Sequence, residues 1–171
     1  MYLCGLREMK FKTSYEVETC QSMKDAVGEW ITTQRFPLFG TATYRHPHHI
    51  RVEKAHRDAS HFTRLLSRKV LGKHTVDRQG KYLTTMMFVE QGKDRNNTHI
   101  HFFIKGYTLK HTKGIIYNAN RIWKSKIDNA LDVMILDERE AERRTYTMKE
   151  QLALDDEIIS PKACFLPHLI P

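Results

Sequence analysis

The chain has 171 residues, with 28 Lys and Arg against 20 Asp and Glu and a formal net charge of +8, a length that suits one domain with a real core. No apolar run reaches the roughly 18 residues of a membrane span, and no charged-then-apolar leader opens the chain. Three scattered cysteines, Cys4, Cys20 and Cys164, form no CxxC pair, which excludes a disulfide frame and a zinc knuckle and points to a reducing compartment.

Residues 1–12 carry little pattern beyond that of an edge strand. Thr13 and Glu16 have the spacing of a capping box, and Val17, Cys20, Met23, Val27, Trp30 and Ile31 recur at helical intervals. That helix is expected to end near Arg35, ahead of Pro37, making residues 1–35 a helical extension packed on the core. The next stretch, Phe39-Gly40-Thr41-Ala42-Thr43-Tyr44, alternates like a strand with small residues on one side. Glycine and alanine in a central strand predict close approach by a helix or a ligand backbone.

His46, His48 and His49 surround Pro47 on a loop, where solvent or a nucleic acid is the expected neighbour. Val52, Ala55, Ala59, Phe62, Leu66 and Val70 then mark the apolar stripe of a second helix, closed by Gly72. Its other face carries Lys54, Arg57, Arg64, Arg68 and Lys69. Gly72-Lys73-His74 lacks the upstream glycine and the hydroxyl residue of a phosphate-binding loop.

Leu83–Gln91 and His99–Lys105 read as the two strands of a hairpin, joined by a connection rich in Gly, Asp and Asn. In His99-Ile100-His101 both imidazoles project to one face, while Ile100, Phe102 and Ile104 line the other. Two neutral imidazoles ligate a divalent ion when a third ligand joins them. Glu90 supplies it if Glu90 pairs across from His99. Ligand chemistry alone favours Mn²⁺ or another imidazole-tolerant ion over Mg²⁺, which prefers oxygen.

Thr112 is expected to cap a third helix that buries Ile115, Ile116, Ile122, Trp123 and Ile127 and exposes Lys113, Arg121, Lys124 and Lys126. Leu131–Leu136 reads as a short strand. Asp137 and Glu140 cap a fourth helix through about Leu154, with Ala141, Thr145, Met148 and Leu152 as its apolar stripe. Residues 156–171 form an irregular tail. The pattern predicts an α+β fold: a central antiparallel sheet of about five strands, RRM- or palm-like, with flanking helices.

Charge is unevenly spread. Residues 39–126 hold 18 basic and five acidic side chains, whereas residues 127–171 hold five basic and ten acidic. A polyanion is the implied partner, and nucleic acid fits better than membrane because no basic amphipathic anchor stands apart. Thr41, Thr43, Arg45, Arg51, Arg57, Lys105 and Lys113 are the candidate nucleic-acid contacts.

Tyr146 and Lys149 sit three apart on the fourth helix, hence on one side of it. A phenol with a pKa near 10 needs a polarised phosphate and a nearby ammonium to attack at neutral pH. Tyr107 and Lys110 share the spacing, but Tyr107 lies in the turn leaving the histidine strand, so Tyr146 is the preferred nucleophile.

Together these residues resemble the HUH single-strand endonucleases, and within them the rolling-circle replication initiators, or Rep proteins. Phe39–Tyr44 matches the family's first motif, His99-Ile100-His101 with Glu90 the second, and Tyr146 with Lys149 the third. The match spans residues 36–155, in the family's order. Relaxases place the tyrosine before the histidines. Single-strand transposases, the alternative with the same chemistry, typically carry glutamine four residues after the tyrosine, where Glu150 stands here.

The resemblance implies nicking of single-stranded DNA through a 5′-phosphotyrosine at Tyr146, with Lys149 assisting and Mn²⁺ or Mg²⁺ at Glu90, His99 and His101. It further implies an origin or stem-loop as substrate, a host helicase and polymerase as partners, and a cytoplasmic setting in a bacterial host or a nuclear one for a eukaryotic virus. The rival from another class is a non-catalytic RRM-like nucleic-acid-binding domain, with aromatics such as Phe103 stacking bases.

Overall fold

Short β-prone apolar runs form four seven-residue strands in one antiparallel sheet. The computed structural model describes Thr33 and residues 35–92 and 96–136. Within them run β1 (Leu38–Tyr44), a 3-10 turn (Pro47–His49), α1 (Val52–Leu71), α2 (Lys73–Gln79), β2 (Thr84–Glu90), β3 (His99–Lys105), α3 (Leu109–Lys126) and β4 (Ala130–Leu136). The spatial strand order is β2-β3-β1-β4, all antiparallel. This is the βαββαβ arrangement of RRM-like sheets, as expected. Four strands are seen among the described residues. The edge strand expected in 1–12, the first and fourth expected helices and the tail lie outside them.

The core forms where β-alternation meets the helical stripes. Ala42, Met87, Val89, Ile100, Phe102 and Ile104 point to one face and are buried against Ala55, Ala59, Phe62 and Leu66 of α1 and Ile115, Ala119 and Trp123 of α3. Phe62 joins Phe102 and Trp123 at ring-centroid distances of 5.7 and 5.4 Å, and Trp123 meets Tyr44 at 5.3 Å. The Trp123 indole N–H donates to the Thr43 carbonyl at 2.9 Å, tying α3 to β1 beside the register shift at Thr43/Tyr44. No described helix is long and apolar enough to cross a membrane.

Several details differ from expectation. Thr108, not Thr112, caps α3: its hydroxyl accepts from the His111 N–H, and Thr112 sits one turn inside, bonding back to the Thr108 carbonyl. Ile116 is 52% exposed, because the inward stripe passes through Ile115, Ala119 and Ile122 and leaves the next residue a quarter-turn outside it. The short α2 was not foreseen; Val76 is its buried residue, and Asp77 accepts ion pairs from Arg64 and Arg68 of α1. The close approach at Gly40 comes from neither a helix nor a ligand. Gly40 pairs with Phe102 across β1 and β3, and a Cβ there would run into the Phe102 ring.

Substituting Gly40 with Ala should therefore cost about 1–3 kcal/mol, the usual penalty of overpacking. Urea unfolding measures it. A Phe102→Leu background should remove much of that cost, because the smaller side chain gives the new methyl room.

Candidate metal centre

Strand register brings the expected ligands together. Glu90 pairs with His99 across β2 and β3, as the hairpin spacing predicted, and His101 lies two residues along the same face. Glu90 Oε2 is 3.1 Å from His101 Nε2 and 3.4 Å from His99 Nε2, and the two Nε2 atoms are 3.0 Å apart. Ligands about 2.1 Å from one ion stand about 3.0 Å apart at a right angle and about 3.4 Å apart at a tetrahedral angle. The triangle thus has the size of one face of a coordination shell. Among the described residues this is the one cluster of three such side chains that could hold a metal ion.

The ring nitrogens facing away are held as well. His99 Nδ1 lies 2.7 Å from the Asn97 carbonyl, which has no hydrogen to give, so Nδ1 carries the proton and donates it. That leaves the Nε2 lone pair of neutral His99 pointing into the triangle. The Asn97 carbonyl is set in turn by the loop: the Asn97 N–H donates to the Gln91 carbonyl at 2.9 Å, and Gly92 adopts a φ of 68° against the Asn97 Cβ. Thr98 fixes the start of β3 by donating its hydroxyl to the Ile50 carbonyl. His101 Nδ1 is 2.9 Å from the Thr41 hydroxyl, and the Phe39 ring stacks on the imidazole at 5.4 Å and 26°.

Two imidazole nitrogens and a carboxylate at these distances need a positive charge or a proton between them. The Glu90 carboxyl is accordingly held well below the usual carboxylate range by its hydrogen bonds to His101 and His99, against the opposing effect of burial. Burial works against the charged form of His99. The bonds to Glu90 and Asn97 outweigh it and raise the pKa above the ordinary 6.5. As a donor set, two imidazoles and one carboxylate could hold a divalent ion with coordination positions to spare.

The remaining candidates are scattered. Thr43 faces the same side as the triad, but its hydroxyl donates to the Asp132 carbonyl at 3.3 Å. Arg45 lies at the triad's end of the sheet with its Nε–H on the Ala130 carbonyl, and exposed Arg51 follows the histidine turn at that same end. Lys105 stands at the opposite end of β3, its ammonium 5.4 Å from the Phe36 ring centre. Arg57 and Lys113 are exposed on the helical layer, on the other side of the sheet. Of the 18 basic residues in 39–126, five are on α1, two on α2 and five on α3, so most of them belong to the helical layer rather than to the metal face. His46, His48 and His49 are exposed and pack on one another. Tyr146 and Lys149 lie outside the described residues.

Sequence reasoning missed a second apolar cluster on the metal side. Phe36, Phe39 and Phe88 surround Phe103 at 5.8, 5.1 and 6.2 Å, and Phe103 is only 1% exposed. It offers no ring face to a base, contrary to the stacking role considered above. The signal was available in the alternation, since Phe39, Phe88 and Phe103 each fall on the triad's face of their strand. No family model, curated protein or solved structure matches this chain.

Titrating Mn²⁺ into metal-free protein should raise the melting temperature by roughly 5–10 °C at a hundredfold excess over Kd, and His101→Ala should abolish the rise. The pH dependence has a defined sign. In metal-free protein the lowered Glu90 pKa contributes stability that is full above the ordinary 4.5 and is lost as pH falls. The raised His99 pKa contributes stability that is full below 6.5 and is lost as pH rises through the folded value. Both operate together between 4.5 and 6.5. Thermal melts across pH should show His99→Ala flattening the alkaline limb, with Mn²⁺ acting in the opposite sense and stabilising more as pH rises.

Proposed function

We propose that this protein is a metal-dependent nicking and joining endonuclease of single-stranded DNA, acting by tyrosine transesterification in the manner of rolling-circle replication initiators. The observation that carries the reading is the convergence of Glu90, His99 and His101 on one face of an antiparallel hairpin. The order of the sequence motifs supplies the rest. A divalent ion held there, Mn²⁺ or Mg²⁺, would polarise the scissile phosphate.

Tyr146 then attacks phosphorus, forming a phenolic O–P bond as the bond to the 3′ oxygen breaks. The phenol proton is lost, the 3′ oxygen takes up a proton, and the 5′ phosphate stays on the protein. Lys149 stabilises charge on the phosphate. Rejoining is the reverse, with a 3′ hydroxyl as attacker, while a free 3′ hydroxyl also serves a host polymerase behind a host helicase. The setting is the cytoplasm of a bacterial host, and the substrate an origin sequence or stem-loop.

The described tyrosines support assigning the nucleophile elsewhere. The chain has seven, of which Tyr44, Tyr82, Tyr107 and Tyr117 are described. Tyr44 points into the core, where burial, aided by Asp58, drives its pKa far up and keeps it neutral. Tyr107 donates to the Tyr82 carbonyl at 2.6 Å, at the Lys105 end of β3. From His101 to Lys105 alone the strand runs about 13 Å. Tyr117 is 75% exposed on the helical layer. Phe103, buried, offers no ring face to the stacking-platform alternative.

Incubation with origin-derived single-stranded oligonucleotides and Mn²⁺ should yield a covalent adduct, seen as a mass shift under denaturing conditions. Tyr146→Phe should remove it while leaving metal binding near wild type, and Tyr107→Phe should retain it. Lys149→Ala should slow the reaction by a few kcal/mol of barrier, order of magnitude, without eliminating it. Peptide mapping that finds the DNA remnant on Tyr107 would refute the nucleophile assignment.

A second outcome concerns affinity. The basic excess of residues 39–126 should make DNA binding fall with salt at a log–log slope of several units. Near-constant affinity between low and physiological salt would assign that charge to solubility alone.

A further inference from the structure

The two imidazoles are held from behind by partners of different chemistry. His99 Nδ1 meets a backbone carbonyl, the Asn97 O at 2.7 Å, which can only accept. His101 Nδ1 meets the Thr41 hydroxyl at 2.9 Å, which can either donate or accept. Thr41 belongs to the strand opposite His101 in the register, so the pairing is built into the sheet. The Phe39 ring, stacked against His101, keeps the imidazole plane in place while protons move.

We infer that Thr41 is a positioning residue for the metal centre, whose hydroxyl reverses its hydrogen bond so that His101 can exchange one neutral tautomer for the other when metal binds. This inference rests on the metal-site reading and is independent of the nuclease reading. With His99 in its neutral form, at a pH above its folded pKa, the metal-free site holds an inward lone pair on His99 Nε2 and a negative charge on Glu90. The 3.1 Å contact from His101 Nε2 to Glu90 and the 3.0 Å contact to His99 then require a proton on His101 Nε2. His101 Nδ1 is thereby an acceptor, and the Thr41 hydroxyl donates to it. When a metal takes the triangle, the Nε2 proton goes to solvent and Nδ1 gains one from solvent, so His101 stays neutral with no net proton change. The Thr41 oxygen then accepts from Nδ1–H, by rotation about one bond. A carbonyl in that place would forbid the metal-free arrangement, and a methyl group would support neither. Thr41 thus serves His101, where the sequence placed it among nucleic-acid contacts.

The test combines a spectroscopic and a thermodynamic readout on the full chain. Histidine ¹⁵N spectra of wild type, recorded at a pH where His99 is neutral, should show His101 as the Nε2–H tautomer without metal and as Nδ1–H with diamagnetic Zn²⁺, while His99 is Nδ1–H in both. Calorimetric titration with Mn²⁺ should show Thr41→Val weakening binding about 10–100-fold and Thr41→Ser restoring it to within about threefold. An unchanged His101 tautomer on loading, or Thr41→Val binding as tightly as wild type, would overturn the inference with the metal site intact. Wild type that binds neither ion would overturn the inference and the metal centre together. The wild-type spectra need no variant, so a Thr41→Val that failed to fold would leave the inference testable.

Discussion

A strand that slips by one residue against its neighbour turns every side chain to the other face, and the candidate metal centre depends on that not happening between β2 and β3. The apolar face holds the register. Met87, Val89, Ile100, Phe102 and Ile104 are all buried on the helical side, so a slip of either strand would turn its share of them away from the helices and carry its own Glu90 or histidines toward the core without partners. Each buried apolar side chain contributes on the order of 1.5–3 kcal/mol, far more than the polar contacts on the triad's side could supply alone. Packing on one face thus dictates coordination geometry on the other.

The triad sits at one end of its face, and a buried aromatic cluster occupies the rest. With Phe39 stacked on His101 and Phe103 behind it, one side of the polar site is apolar wall, and both histidine side chains are only about 15% exposed. Lowered access of water strengthens electrostatic interactions inside the site. It also explains why burial opposes both ionised forms, yet hydrogen bonds within the triad prevail. Among the described residues, twelve of the 18 basic side chains of 39–126 stand on the three helices, while Arg45 and Arg51 lie at the triad's end of the sheet.

Local pattern in the chain reached far, and its failures have physical causes. Period-two alternation located β1, and an apolar run, the spaced histidines and a turn-rich connection located the two hairpin strands, all to within a residue. The α1 stripe with Gly72 behind it was equally legible. The start of α3 was misplaced by one turn because Thr108 and Thr112 offer the same capping chemistry, and only the backbone reveals which one stands outside the helix. Ile116 shows that hydrophobicity does not imply burial once the stripe is full. Gly40 was correctly read as a place of close approach, yet the occupant was a ring on the neighbouring strand, and cross-strand pairing is invisible to a single segment. The triad was legible because its three members lie within one hairpin. Thr41 as the partner of His101 was not, since the two are 60 residues apart and meet through β1–β3 pairing alone.

Hairpin connections are ordinarily where a lineage gains and loses residues without harm. The connection here is an exception at its C-terminal end. Asn97 closes the turn through its N–H and orients His99 through its carbonyl, so one residue belongs both to the loop and to the support of the candidate metal site. Changes in loop length would be transmitted to the angle of an imidazole. Across diverging sequences, the residue two before the first histidine should keep its backbone geometry even where its side chain varies, and indels should gather before it. For protein engineering, the same feature turns the loop into a dial: a segment spliced in ahead of Asn97 that tightens or relaxes the turn would tune the geometry of the candidate metal site.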